Sequence, residues 1–201
     1  MAKNFSTGTI VLVVLLGLAV VFGIGAYSNY NGMVSKDEIV TTTWSDVQSQ
    51  YQRRSDLIPN LVNTVKGYAK HESETLEGVI AARAKATQIT MSADQLTPEN
   101  MKQIQQAQGE LSAALGKLLA VRENYPDLKA NQQFSELQAQ LEGTENRINE
   151  SRRIFNQAVQ DYNVTIRRFP ANIFAGLFGF EKKTKFEAEA GAEKAPSVSF
   201  D

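Results

Sequence analysis

Residues 10–27 read IVLVVLLGLAVVFGIGAY, and this stretch decides how the rest of the chain is arranged. No charged residue lies between Lys3 and Lys36. About 18 apolar residues, each rising ~1.5 Å in a helix, reach about 27 Å, which is close to the hydrocarbon thickness of a bilayer. The stretch therefore predicts one transmembrane helix near the start of the chain.

We interpret this helix as a retained anchor, because the apolar run is longer than the ~7–15 residues of a usual signal-peptide core. A cleaved signal peptide and a buried core helix are the alternatives. The anchor follows a short tail, residues 1–9. Four positions mark the predicted span: Ile10, Leu15, Val20 and Tyr27. Lys3 precedes the span, and by the positive-inside rule it favours an inside N-terminus and an outside bundle.

Beyond the anchor, apolar residues recur every three or four positions, which is typical of amphipathic helices. The first series predicts a helix over about 35–89, with Pro59 inside it as a kink or a point of division. Its stripe comprises Trp44, Val47, Tyr51, Ile58, Leu61, Val65, Tyr68, Leu76 and Val79.

Two further helices are predicted over about 98–125 and 127–169. Thr97 and Pro98 are a typical N-cap and first helical residue. No alternating apolar pattern indicates a strand. The predicted fold is therefore all-α: an antiparallel bundle of three long helices and a short C-terminal helix, within residues 28–186, carried on the transmembrane helix.

The short C-terminal helix is predicted over about 171–179, and residues 187–201 are rich in Ala and Glu, as expected of a mobile tail. One interpretation is that this helix caps the core of the bundle. The other is that it meets the lipid interface or another subunit. The residues predicted to form this apolar contact are Phe174, Leu177, Phe178 and Phe180.

Composition excludes several classes of function. The chain has no cysteine, which excludes a disulfide framework and a thiolate metal site. His71 is the single histidine, and neither a two-histidine metal motif nor a nucleophile-elbow pattern is present. The net charge of −1 gives no reason to expect nucleic-acid binding. We therefore expect no catalytic site, no metal and no cofactor.

Several motifs resemble those of the bacterial LemA family. Tyr30–Val34 (YNGMV) is similar to its entry motif, and Arg53–Val62 (RRSDLIPNLV) is similar to its signature. Val65–Glu72 (VKGYAKHE) and Ala82-Arg83 resemble the continuation of that signature. The C-terminal landmarks that match are Phe169-Pro170, Gly179-Phe180, Phe186 and Val198-Ser199-Phe200. The resemblance implies a single-pass protein of the bacterial inner (cytoplasmic) membrane with a LemA-like four-helix bundle and no established enzyme activity.

Heptad spacing along the first helix places two charged residues, Arg54 and Glu72, where apolar residues are expected. Buried charges need partners or access to water. The candidates on the third helix are Glu145, Asn149, Glu150 and Arg152. These charged residues have three interpretations. They form a network that fixes helix register, they form a site for a protein partner, or His71 carries out acid–base catalysis. The residues singled out as interaction candidates are Arg53, Arg54, Asp56, Pro59, Asn60, His71 and Glu72.

The leading functional hypothesis is a non-catalytic scaffold or adaptor of the cell envelope that contacts the lipid bilayer and self-associates into oligomers. The alternative, which draws on the family resemblance, is a sensor or regulator of a membrane protease or of an envelope stress response. In that hypothesis Pro59 is a movable joint. A hydrolase that uses His71 is the third hypothesis.

Overall fold

One helix, α1, carries the chain from the apolar stretch to the far end of the bundle. The computed structural model describes residues 7–187, and α1 spans Thr7–Tyr68. Its 62 residues extend about 93 Å. Residues 10–24 are exposed all round, and the first buried residue is Met33. The apolar stretch and one side of the bundle are therefore a single uninterrupted helix.

The remaining helices follow in the order α2 Ser73–Gln88, α3 Pro98–Ala120, α4 Pro126–Lys129, α5 Gln132–Arg167 and α6 Ala171–Phe178. Two 3-10 turns, Ala93–Gln95 and Val121–Asn124, lie between them, and residues 7–187 contain no strand. The all-α fold class is confirmed.

The single helix predicted over 35–89 is wrong, because the chain reverses at residues 69–72 and continues as α2. Two hydrogen bonds show that the chain runs back antiparallel to α1. Arg83 Nε of α2 donates to the Ser55 carbonyl at 2.9 Å, and Trp44 Nε1 donates to the carbonyl of Met91, three residues beyond the end of α2, at 2.8 Å. The apolar stripe continues in phase across the turn, so periodicity alone did not reveal it. The reversal places residues from both helices in one core: Leu61, Val65, Ala69, Leu76 and Val79.

Pro59 does not divide α1, which continues for nine residues beyond it. Proline has no N–H, so the carbonyl four residues earlier, that of Ser55, loses its helical partner. Arg83 of α2 supplies the missing donor to that carbonyl. The proline is thus accommodated by a contact between two helices, and Pro59 itself lies on the exposed side.

The predicted start of α3 is confirmed. The Thr97 side chain accepts a hydrogen bond from the Asn100 amide at 3.2 Å, and Pro98 is the first helical residue. The helix ends at Ala120 instead of residue 125, because the chain tightens into a 3-10 turn. The last predicted long helix begins at Gln132 instead of 127, where the Asn131 side chain caps it.

The bundle contains four long helices, one more than predicted, because the first predicted helix is a hairpin. α1 and α5 run antiparallel along their lengths, and α3 packs beside α2. The core has two parts. The part farther from the apolar stretch is built around Leu61, Leu111 and Phe134, and the nearer part around Trp44, Phe155 and Tyr162.

After α6 the chain turns back toward the bundle at Gly179, whose φ of 75° is the left-handed conformation that glycine adopts readily. Residues 181–187, here called the C-terminal segment, then run along α5. The predicted mobile tail lies outside the described residues except for Glu187. The predicted N-terminal tail lies outside them up to residue 6, and residues 7–9 belong to α1.

Candidate functional site

Arg54 is the most deeply buried charged residue of the described chain, with 2% of its surface exposed. Its Nη1 donates to Glu145 Oε2 at 2.6 Å and to Ser112 Oγ at 2.8 Å. Its Nη2 donates to the side-chain oxygen of Gln108. We call Arg54 with Gln108, Ser112 and Glu145 the Arg54 cluster. It joins α1, α3 and α5, three of the four bundle helices.

The electrostatics of the cluster are those of a half-buried ion pair. Burial lowers the pKa of the Arg54 guanidinium, and the Glu145 carboxylate opposes that change. Arginine nevertheless stays charged in proteins. The Glu145 side chain keeps 41% of its surface exposed, so the carboxylate retains part of its hydration while the guanidinium relies on protein acceptors. The ion pair and its hydrogen bonds thus link three helices.

Tyr51 lies between two arginines. The Arg54 and Arg152 guanidinium carbons are 5.9 Å and 5.5 Å from the centroid of its ring, and Arg152 Nε donates to its hydroxyl at 2.9 Å. Burial raises the pKa of the Tyr51 hydroxyl, and the charge of Arg152 partly offsets this. Arg152 also lies 5.1 Å from the Phe186 ring. A series of hydrogen bonds and cation–π contacts therefore extends from Glu145 to the C-terminal segment.

The four residues predicted as possible partners of Arg54 make different contacts in the structure. Glu145 is its ion-pair partner. Arg152 contacts Tyr51 instead. Glu150 pairs with exposed Arg153 at 2.6 Å, and Asn149 is exposed. Only one of the four candidates therefore belongs to the Arg54 cluster.

The other signature residues of α1 lie on its outer surface. Arg53, Asp56, Pro59 and Asn60 are all exposed, and Asp56 accepts a hydrogen bond from Gln52 at 2.7 Å. The spacing of three and four residues between Arg53, Asp56 and Asn60 puts them along one side of the helix. The signature thus combines one buried charge with an exposed polar stripe.

Glu72 and His71 lie in the turn between α1 and α2, away from Arg54. The 14 residues from Arg54 to Tyr68 separate them by roughly 20 Å along α1. Glu72 is half-buried and accepts a hydrogen bond from the Tyr125 hydroxyl at 3.1 Å, whereas His71 is exposed. The expectation that Arg54 and Glu72 belong to one continuous seam of α1 is wrong, because the helix ends before Glu72.

A cleft of about 410 Å³ opens beside the Arg54 cluster, between α1, the end of α2 and α3. Both polar and apolar side chains line it, and the polar ones include Ser49, Gln52, Ser55 and Gln108. The Ser55 hydroxyl is buried and has no hydrogen-bond partner within residues 7–187. No group of three or more His, Cys, Asp or Glu side chains within this same range could hold a metal ion.

The predicted C-terminal apolar residues divide between core and surface. Phe174 is buried, and its ring lies 5.2 Å from that of Phe22 on α1. Phe180 is half-buried, and its ring lies 5.8 Å from that of Tyr30. Leu177 and Phe178 are exposed. The short helix therefore caps the near end of the core with one face only.

Sequence reasoning missed the binding of the C-terminal segment to α5. The Asn163 side chain bonds both the N–H and the carbonyl of Lys183, each at 2.9 Å. The Asn156 side chain bonds the N–H of Phe186 at 2.8 Å and its carbonyl at 3.1 Å. The two asparagines are seven residues apart, a spacing of two helical turns that a search for polar side chains on one face of α5 would have found.

Lys183 ties this segment to two other elements. Its Nζ lies 2.6 Å from Asp37 on α1 and 2.9 Å from Asp94 in the first 3-10 turn. Burial opposes the charge, but the two carboxylates of Asp37 and Asp94 outweigh it and raise the pKa of Lys183. Phe186 packs its ring 5.5 Å from Phe155. The segment is thus held at both ends.

These features define a class: an antiparallel four-helix bundle continuous with an N-terminal helix that is long and apolar enough to cross a membrane. A model of the LemA family matches residues 43–200, and the chain belongs to that family. The resemblance carried by the sequence motifs is therefore confirmed.

Three relatives illustrate the range of the family match. Magnetosome protein MamQ 2 of Paramagnetospirillum magneticum is 28% identical over 183 residues, which cover 82% of this chain and 66% of the relative. Magnetosome protein MamQ of Magnetospirillum gryphiswaldense is 27% identical over 188 residues, covering 85% and 68%. Protein LemA of Metamycoplasma hominis is 25% identical over 158 residues, covering 79% and 68%. The chain thus spans about two thirds of each relative's length, and none of these names denotes an enzyme.

Proposed function

We propose that the chain is a non-catalytic, membrane-anchored scaffold of the bacterial cell envelope that self-associates into oligomers. The observation that carries the proposal is the continuity of α1. A helix that is fully exposed and apolar over residues 10–24 passes without interruption into a bundle whose first buried residue is Met33. Such a helix transmits the orientation of the anchor to the bundle.

Rigidity of the bundle supports the same role. The Arg54 cluster fixes α1, α3 and α5 against one another, and Arg83 joins α2 to α1. The buried arginine has protein partners for both of its terminal nitrogens, which suits a register-fixing contact better than a reactive group. His71 stands exposed in a turn roughly 20 Å from that cluster, so a hydrolase built on His71 receives no support from these contacts.

Cysteine crosslinking in intact membranes tests the scaffold. Because the chain has no natural cysteine, a single cysteine at Val20 in the anchor or at Ile80 on the exposed side of α2 reports one contact each. We expect crosslinked oligomers from at least the anchor position. A strict monomer at every position scanned, together with no partner captured by in-cell crosslinking, would refute self-association and the scaffold.

The same variants test location. We propose the inner membrane, with the bundle on the outer side, from the single lysine before the span. A membrane-impermeant thiol reagent should label the Ile80 cysteine in intact spheroplasts. Labelling only after lysis would place the bundle in the cytoplasm. Lipid and a second copy are the proposed partners, and nucleic acid is not among them.

A second candidate function is regulation of another envelope protein, such as a membrane protease. Two observations favour it. One is the exposed stripe of Arg53, Asp56 and Asn60; the other is the adjacent cleft, beside which the buried Ser55 hydroxyl has no partner among residues 7–187. A photo-crosslinking residue at Asn60 should capture a defined membrane partner, whereas the same residue at exposed Lys117 on α3 should not. Equal products from both positions would argue against a docking site on α1.

A further inference from the structure

The short helix α6 packs beside the apolar part of α1, a contact that only the tertiary structure reveals. The Phe174 ring is 5.2 Å from the Phe22 ring, and a Cβ atom at Gly25 would lie 3.6 Å from Phe174 Cζ. Phe22 is five residues inside the end of the apolar stretch at Tyr27, or about 7 Å along the helix. If α1 crosses the bilayer, α6 lies at the boundary between headgroups and acyl chains.

The two faces of α6 differ in what covers them. Ala171, Phe174 and Ala175 are buried against the bundle. On the other side, Ile173 is 53% exposed and Leu177 66%, and Phe169, two residues before the helix, is 82% exposed. Large apolar side chains that are this exposed, and next to one another, mark an interaction surface in a folded protein. Nothing within residues 7–187 covers this one.

Charged residues flank the apolar face in the sequence. Arg167 and Arg168 precede it and Lys182 follows it, and all three are exposed. Glu181 is the only carboxylate between residues 167 and 182. Apolar side chains rimmed by cations match the boundary of a membrane that contains anionic lipids, where the cations meet the phosphates.

Both ends of α6 are fixed, so its position is a property of the fold. α5 leads into it directly, and Gly179 turns the chain back to the C-terminal segment, which Asn163 binds through Lys183. The chain therefore leaves the bundle at the end of α5, passes beside Phe22 of α1 as α6, and returns to α5 as the C-terminal segment.

We propose that α6 is a second membrane contact. Phe169, Ile173 and Leu177 insert into the leaflet from which α1 emerges, and Arg167, Arg168 and Lys182 bind the lipid phosphates. The inference rests on the proposed membrane anchoring by α1. Two contacts at different points fix the tilt of the bundle over the membrane, which one helix alone does not.

Fluorescent labelling of single cysteines tests this in the full chain. The L177C and F169C variants, labelled with an environment-sensitive fluorophore, are reconstituted into vesicles of phosphatidylcholine and phosphatidylglycerol. We expect blue-shifted emission and quenching by nitroxide-bearing lipids at both positions. A label at Ile80, which is exposed to the same degree as Ile173 but lies on α2, should show neither effect.

A label at Val20 separates this inference from the anchoring on which it rests. If the Val20 label is quenched by nitroxide lipids and the Leu177 and Phe169 labels are not, α6 faces water and the proposal is wrong. If the L177C variant crosslinks between copies and its label is not quenched by nitroxide lipids, the exposed face of α6 binds a second copy, and the lipid contact is equally refuted. An unquenched Val20 label refutes the anchoring and the α6 contact together. Circular dichroism of each variant should match that of the parent chain.

Discussion

Replacing Arg83 by methionine removes the donor that satisfies the Ser55 carbonyl, while keeping most of the aliphatic side chain. Ser55 is buried, so its carbonyl has no ready access to water. A hydrogen bond from a charged donor contributes ~1.5–3 kcal/mol, and an unsatisfied buried acceptor costs a similar amount. We expect Arg83→Met to lower the free energy of unfolding by about 2 kcal/mol.

The cost should depend on Pro59, because the proline is the reason the carbonyl is free. In the Pro59→Ala background, the amide of the new alanine can bond the Ser55 carbonyl as in an ordinary helix. Pro59→Ala alone should raise the free energy of unfolding, since proline inside a helix costs ~3 kcal/mol relative to alanine. Arg83→Met should then cost about 0.5 kcal/mol, which gives a coupling of about 1.5 kcal/mol in the double-mutant cycle.

Urea unfolding of the full chain in detergent micelles measures this coupling. Trp44 is the single tryptophan and is buried, so its fluorescence reports loss of the bundle. With a slope of about 2 kcal/mol per molar urea, Arg83→Met should move the midpoint by about 1 M. Exposed Arg153 is the matched control, and Arg153→Met should give the same small change in both backgrounds. An equal cost of Arg83→Met with and without Pro59 would refute the reasoning.

Three further predictions concern the buried charge and the C-terminal segment. Arg54→Met leaves Glu145 and the Gln108 side chain without their donor. It should lower the free energy of unfolding by about 2–3 kcal/mol in the same assay, less than for a fully buried pair, because the Glu145 carboxylate is half exposed. A change below 0.5 kcal/mol would mean that the cluster does not hold the helices. Asn163→Ala removes two hydrogen bonds worth ~1 kcal/mol each, so amide hydrogen exchange at Phe186 should accelerate about 30-fold while the urea midpoint changes little; unchanged exchange would show that the segment is held by other contacts. Because the pKa of Lys183 is raised in the folded state, its contribution to stability is fully present below its ordinary pKa of about 10.4 and is lost as the pH rises through the raised value. The protection of the segment's amides is the ratio of the intrinsic to the observed exchange rate at each pH, so that base catalysis of exchange cancels. This protection should therefore fall above about pH 10.4 and lose that dependence in Lys183→Met; a dependence that persists in the variant would assign it to another group.

The long apolar helix near the start of the chain and the N-terminus of α3 are two elements that sequence reasoning predicted well. The apolar helix depends on an uninterrupted run of apolar residues, and the start of α3 depends on Thr97 and Pro98 at adjacent positions. Both are decided by residues close in sequence. The turn at residues 69–72 was missed because Val65 and Leu76 keep an apolar phase that fits one helix as well as two.

Pro59 illustrates a partial success. Its missing N–H identified the Ser55 carbonyl as the atom that lacks a partner. The sequence could not say whether the helix would bend, divide or find another donor, because Arg83 lies 28 positions from Ser55. The Arg54 cluster is similar: a buried charge was expected at that position and Glu145 was among several candidates, but the choice among them needed the relative rotation of α1 and α5.

The sequence alone determined that residues 10–27 form an apolar helix, that amphipathic helices follow, and that Arg54 requires a partner. These properties are set by composition, by periodicity over a few turns and by the cost of burying a charge. Only the tertiary structure decided three other properties. The chain reverses after α1 and continues as α2, Arg54 pairs with Glu145, which lies 91 positions away, and α6 packs against α1 beside Phe22. Each of these depends on helices packing together, so that side chains far apart in the chain come within reach of one another.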